Sequence, residues 1–111
     1  MADDAAAVAR QYFDRVRAKD VRVVDLFHID ASIIGLGGEK SGIEEIRSFY
    51  ENTIATAGPS PEIVGEIFAS GSRAAAEIKI TIANGATIHA MDLFDIENGK
   101  IRSLTYFIAD H

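Results

Sequence analysis

The chain has no cysteine, no tryptophan and only two prolines. The first absence excludes a disulfide framework and any thiolate metal site. Long apolar runs are missing too: no stretch approaches the roughly 20 residues that span a bilayer, so no membrane partner is expected. Positive charge is scarce, with eleven Lys and Arg against seventeen Asp and Glu for a net charge of −6. The basic residues are scattered rather than clustered as phosphate contacts require, which argues against nucleic acid and anionic membranes. No histidine–carboxylate set has ligand spacing such as the i, i+4 histidines of zinc helices, so neither metal nor cofactor is expected. The opening MADDAAAVAR is acidic and lacks an apolar h-region, and the expected location is cytoplasmic.

What is present fits one globular domain over residues 1–111, since 111 residues at 48% hydrophobic content can bury one core. From Asp4 to about Arg17, Ala5, Val8, Ala9, Tyr12, Phe13 and Val16 recur at three- and four-residue spacing, an amphipathic helix with Asp3 or Asp4 as its cap. Val21, Val24 and Phe27 suggest a second short helical segment ending before Asp30, with Leu26 beside that face. Ala31 to Ile34 reads as a strand, and Ser41-Gly42-Ile43-Glu44 resembles a capping box for a helix through about Ala55. Ile43, Ile46, Phe49, Tyr50 and Ile54 form its apolar stripe, and Pro59 and Pro61 lie beyond its end. Breaks at Ser70-Gly71-Ser72, Asn84-Gly85 and Asn98-Gly99 then divide four strands, near 62–69, 74–83, 86–96 and 100–109. Helices followed by an antiparallel meander imply an α+β domain with helices on one face of a curved sheet.

The stretch ASIIGLGGEKSG, Ala31 to Gly42, holds four glycines and a Lys-Ser pair. A Walker-type loop needs glycine directly before Lys-Ser, but Glu39 precedes Lys40, and its carboxylate would repel a phosphate. The dinucleotide pattern fails as well, because Lys40 stands where its last glycine belongs.

Reading Asn84-Gly85 as a two-residue turn places Asp92 opposite Glu77, Lys79 opposite Ala90 and Thr81 opposite Ile88. The other face then carries Ile78, Ile80, Ile82, His89, Met91 and Leu93. Helices in so small a domain cover one face, so a second apolar face implies a homodimer through the outer sheet face. Tyr106 falls on the outer face with a two-residue turn at Asn98-Gly99, and toward the helices with a three-residue loop and bulge.

The segments AVARQYFDRVRAKD, LFHIDASI, KSGIEEIRSFYEN and MDLFDIENGKI, in that order and spacing, resemble ketosteroid isomerases and the wider nuclear-transport-factor-2-like superfamily. That superfamily includes SnoaL-type polyketide cyclases and limonene epoxide hydrolases. The resemblance implies a cone-shaped α+β fold (cystatin-like) in which a bent sheet wraps helices around a deep apolar pocket, usually as a dimer. In the isomerases an Asp base moves a proton beside a ketone, while a Tyr and a protonated Asp stabilise the oxyanion. By resemblance Tyr12 matches the oxyanion tyrosine, Asp92 the protonated acid and Tyr50 the supporting tyrosine, while a further network tyrosine falls on Phe27. Burial would raise the Asp92 pKa, and a nearby Lys79 would oppose that shift. Gly35 stands where the isomerases keep the base, and neither Glu39 nor His28 is aligned as its substitute. The epoxide hydrolase pattern departs as well, with Ala90 in place of its arginine.

The expectation is therefore a ketosteroid-isomerase-like or SnoaL-like protein whose pocket takes a small apolar carbonyl compound. Tyr12 and Asp92 are the catalytic candidates, with Tyr50, Phe94, Phe107, Ile33 and Gly35 around the ligand. Without its base, ordinary steroid delta-isomerase activity is not expected, since such a base contributes about 10² to 10⁴-fold. The alternatives are a non-enzymatic small-ligand-binding module and a dimeric interaction module whose vestigial pocket is filled by side chains such as Phe94, Phe107 and Phe49.

Overall fold

A computed structural model describes residues 4–35 and 38–109 of the 111. Asp3 and His111, and two residues of the glycine stretch, lie outside them.

The Asp4 side chain accepts a hydrogen bond from the Ala7 amide and starts helix α1 (Ala5–Arg17), which buries the expected six residues, Ala5 to Val16. Arg17 Nε and Lys19 Nζ then donate to the Pro61 and Pro59 carbonyls at 3.0 Å each, tying the end of the helix to the chain beyond α2. A 3₁₀ segment (Val21–Leu26) follows, capped by Asp20. It buries Val23 and Val24, whereas Val21, expected on the apolar face, is exposed.

Strand β1 (Phe27–Ile34) is twice the expected length. Ile29 and Asp30 are both exposed, and pairing with the last strand shifts register between Phe27 and Ser32, so the first half lacks the period-two pattern that betrays a strand. Short β2 (Glu39–Ser41) folds back against β1, where only a turn and cap were expected. Helix α2 (Ile43–Thr56) is capped by Gly42 rather than by a Ser41–Glu44 box; Glu45 instead accepts from the Ser41 amide at 2.9 Å.

The expected strand at 62–69 is two pieces, β3 (Ser60–Ile63) and β4 (Phe68–Ser70), both paired with β5 (Arg73–Thr81). Gly65, at positive φ, lies in the break. β6 (Thr87–Glu97) and β7 (Lys100–Ile108) complete a sheet of seven described strands ordered β2-β1-β7-β6-β5-β3, with β4 beside β5. All pairings are antiparallel except β1 with β7. The fold is the α+β arrangement expected, with helices against one face of a curved, mainly antiparallel sheet. No helix among the described residues is long and apolar enough to cross a membrane.

Two hairpin details decide which side chains face the helices. The β5–β6 loop is three residues, Ala83 to Gly85, because Ile82 pairs with Ala86 and the Gly85 amide returns to the Ile82 carbonyl. The two-residue reading is corrected by one position: Asp92 faces Ala76, and Lys79 faces His89. Ile78 and Asp92 therefore share the helix-covered face, while Glu77, Lys79, His89 and Met91 occupy the other. Lys79 consequently lies on the opposite face of the sheet from Asp92.

The β6–β7 turn at Asn98-Gly99 does have two residues, both with positive φ. A bulge then inserts Arg102 between the Ile96–Ile101 and Asp95–Ser103 pairs, turning Tyr106 inward opposite Asp92. Both features of the open alternative occur, one after the other.

Candidate functional site

Three phenols meet under the sheet, each from a different element. Tyr12 comes from α1, where its neighbours Val8, Phe13 and Val16 pack into the core; Tyr50 comes from α2 and Tyr106 from β7. The Tyr12 hydroxyl is 2.8 Å from that of Tyr50 and also bonds that of Tyr106, and the Tyr50 and Tyr106 hydroxyls are 3.3 Å apart. Burial raises all three phenol pKa values, reinforced at Tyr12 and Tyr106 by repulsion among the anions that ionisation would create. Phe27 packs its ring 5.8 Å from Tyr50 and 6.2 Å from Tyr12. Phe27 thus contributes a ring without a hydroxyl, and the third phenol is that of Tyr106, whose side no local sequence signal could fix.

Asp92 has no solvent exposure, and neither carboxyl oxygen has a hydrogen-bond partner among the described residues. Desolvation raises its pKa well above the carboxylate range, because an anion there would lose its water and gain no compensating cation. The neutral acid is the form that the fold favours.

Asp92 and the tyrosines border a cavity of ≈ 60 Å³ walled by side chains such as Phe13, Phe49, Ile78 and Ile80. Of the anticipated site residues, Tyr12, Tyr50 and Asp92 come together there. Phe94 and Ile33 are fully buried in the core but do not line the cavity, Phe94 standing behind it with its ring 5.3 Å from Tyr12. Phe107 is a correction: paired with Met91, it is 54% exposed on the outer face, so it cannot line the pocket. Gly35 does not line the cavity either; its φ is +112°, and a Cβ there would collide with the Tyr106 carbonyl oxygen. Glu39 is exposed on β2, accepting from Ser41, and His28 lies 3.7 Å from Glu97, so neither replaces a base at the cavity. Phe49, named as a side chain that would fill the pocket, does line its wall, whereas Thr53, Pro59 and Pro61 were missed, the two prolines because their roles depend on how the chain after α2 closes over α1.

Residues 9–104 match the family model of the SnoaL-like domain. The chain belongs to the SnoaL-like domain family. This family sits within the NTF2-like superfamily, in agreement with the resemblance read from the sequence. No curated protein matches the chain. Among solved structures, this SnoaL-like chain is similar to a candidate polyketide cyclase from Sinorhizobium meliloti, at 22% identity and a TM-score of 0.81 over 90% of this chain and 93% of that one. A candidate ketosteroid isomerase from Kribbella flavida is 17% identical, with a TM-score of 0.84 over 96% and 78%. An LEH-like epoxide hydrolase from Mycobacterium tuberculosis is 15% identical, with a TM-score of 0.84 over 95% and 82%. Three activities thus share one backbone shape with this chain, and shape alone does not choose among them.

Proposed function

We propose that this SnoaL-like protein binds a small, largely apolar carbonyl compound in the cavity at Asp92 and acts on it by acid–base chemistry. The observation that carries this reading is a fully buried carboxyl, without a hydrogen-bond partner among the described residues, in a wall of aromatic and aliphatic groups. A neutral carboxyl so placed donates a hydrogen bond to a ligand oxygen and polarises the carbonyl.

Tyr12 and Tyr50 play their parts at a different stage. Three hydroxyls with three mutual contacts can each donate once and accept once, which commits every phenolic proton in the resting site. A neutral ligand oxygen meets Asp92 first. As negative charge develops on that oxygen, a charge-assisted bond from Tyr12 becomes roughly twice as strong as the phenol–phenol bond it replaces. The gain arises in the transition state, which is where it accelerates a reaction.

The cavity of ≈ 60 Å³ is well below the about 300 to 1,000 Å³ of pockets for drug-sized ligands, so the favoured ligand is smaller than a steroid. This small volume and the closed phenol ring also support the second reading, a binding module without turnover. Binding of cyclopentanone, followed by ligand-observed NMR, tests the pocket. We expect saturable binding that is lost in Asp92→Leu, whose larger apolar side chain fills the cavity and removes the donor. Binding unchanged by that substitution would place the ligand elsewhere.

For the partner, we infer a second copy of the chain on the outer sheet face. Phe68, Met91 and Phe107 are exposed there, with Leu93 half-buried among them. An isologous two-fold contact covers such a patch with one identical patch.

A further inference from the structure

Asp92 has two unpartnered oxygens, and a single ketone oxygen engages only one of them. A neutral carboxyl carries a donor on one oxygen and an acceptor on the other. A ligand that satisfies the O–H alone leaves the second oxygen buried and orphaned, which the apolar walls make costly. No neighbour among the described residues relieves it. The titratable groups facing Asp92 are Tyr12 from α1, Tyr50 from α2 and Tyr106 from β7, whose protons are committed to one another. Across the strand stands Ala76 of β5, and Glu77, Lys79 and His89 lie on the other face of the sheet. Thr53, on the last turns of α2, is only half-buried.

We propose that Asp92 works through both oxygens at once, pairing with ligands that offer an acceptor and a donor side by side, and interconverting keto and enol forms by a 1,3-proton shift. The proposal rests on the pocket reading above. In the keto-to-enol direction the carboxyl O–H proton passes to the carbonyl oxygen while the proton of the adjacent carbon passes to the other carboxyl oxygen. The C–H electron pair becomes the C=C π bond, and the C=O π pair forms the new O–H bond. Asp92 ends neutral with its proton on the opposite oxygen, so no separate base and no co-reactant is needed. This suits a site in which the position of the isomerase base is Gly35 and an ion pair would have to form in an apolar cavity.

Two probes of one ring size test it. Cyclopentanone offers an acceptor and an adjacent C–H, and 2-pyrrolidinone offers an acceptor and an adjacent N–H. We expect wild-type protein to bind the lactam about tenfold more tightly than the ketone, the worth of one further hydrogen bond at the upper end of its usual range. We also expect it to accelerate deuteration of cyclopentanone beside the carbonyl in D₂O. Asp92→Asn keeps a donor and an acceptor but cannot relay a proton, so lactam binding persists while deuteration falls by about 10²-fold or more. The wild-type rate should fall as pH rises through the titration of Asp92, a readout that needs no variant. A rate that rises with pH, or survives Asp92→Asn, would assign the proton transfer to another base and overturn the proposal. Ketone binding without faster deuteration, or with no preference for the lactam, overturns this proposal and leaves the pocket reading standing. Failure of both probes to bind overturns both.

Discussion

Gly35 and Tyr106 lie side by side across β1 and β7, so close that a Cβ on Gly35 would collide with the Tyr106 carbonyl oxygen. The glycine at φ +112° is therefore required by the approach of the strand that delivers the third phenol. The glycine at residue 35 and the inward-turned tyrosine of β7 are two sides of one backbone arrangement.

It follows that a carboxylate introduced at residue 35 will not create a steroid isomerase. Gly35→Asp must adopt a φ that side chains avoid and displace β7, costing about 1 to 3 kcal/mol for the backbone alone. Urea denaturation should show that loss, with Gly35→Ala losing a comparable amount because the clash begins at Cβ. Steroid isomerisation should stay at background; a rapid isomerase of wild-type stability would disprove the coupling.

Asp92 stores instability that a nonpolar replacement should release. Asp92→Leu removes a buried, unpartnered carboxyl and fills cavity space, and an unsatisfied buried group costs about 1 to 3 kcal/mol. We expect a gain of that size in unfolding free energy together with loss of ligand binding, the exchange of stability for function common at active sites. The pH dependence has a definite sign. The folded-state pKa is raised, so the native chain holds a proton that the unfolded chain releases above about pH 4. Wild-type stability should fall relative to Asp92→Leu from there upward, until the folded carboxyl itself ionises. A difference that grew toward acid would contradict this.

The three tyrosines of the cluster are the only ones in the chain, and there is no tryptophan, so phenolate absorbance reports on this site alone. All three pKa values are raised by burial. Unfolded phenols ionise near pH 10, so above that point the native state holds protons that the unfolded state has lost and stability declines. The spectrophotometric titration should stay flat through about pH 10 and then rise in one step with unfolding. A tyrosine titrating near its ordinary value in folded protein would show the cluster to be open.

How far the sequence reached depended on how local each determinant was. The α1 stripe from Ala5 to Val16 was legible residue by residue, since helical periodicity is written within a few turns. Tyr12, Tyr50 and Asp92 followed from resemblance, and they converge on the cavity. The facing of β5 against β6 did not follow, because one extra loop residue before Ala86 shifts every pairing by one and turns β5 over relative to β6. The side of Tyr106 hung on the bulge at Arg102, and Phe107, one residue further, was placed inward when it points out. β1 was halved because Ile29 and Asp30 break its alternation, and β2 is a charged edge strand with no apolar pattern at all.

The outer sheet face supplies the remaining prediction. Met91 and Phe107 oppose each other across β6 and β7, with Phe68 and Leu93 on the same face and the 2.6 Å His89–Glu77 pair nearby. Phe107→Glu puts a carboxylate where two copies would meet, and a two-fold contact doubles the effect by bringing in the same charge from the partner. Because Phe107 is largely exposed in the single chain, the substitution should change monomer stability by no more than about 0.5 kcal/mol. Sedimentation velocity should show a wild-type dimer and a Phe107→Glu monomer, with ligand binding at Asp92 retained because the cavity lies on the other side of the sheet. A wild-type monomer at micromolar concentration would leave these apolar residues without the partner assigned to them.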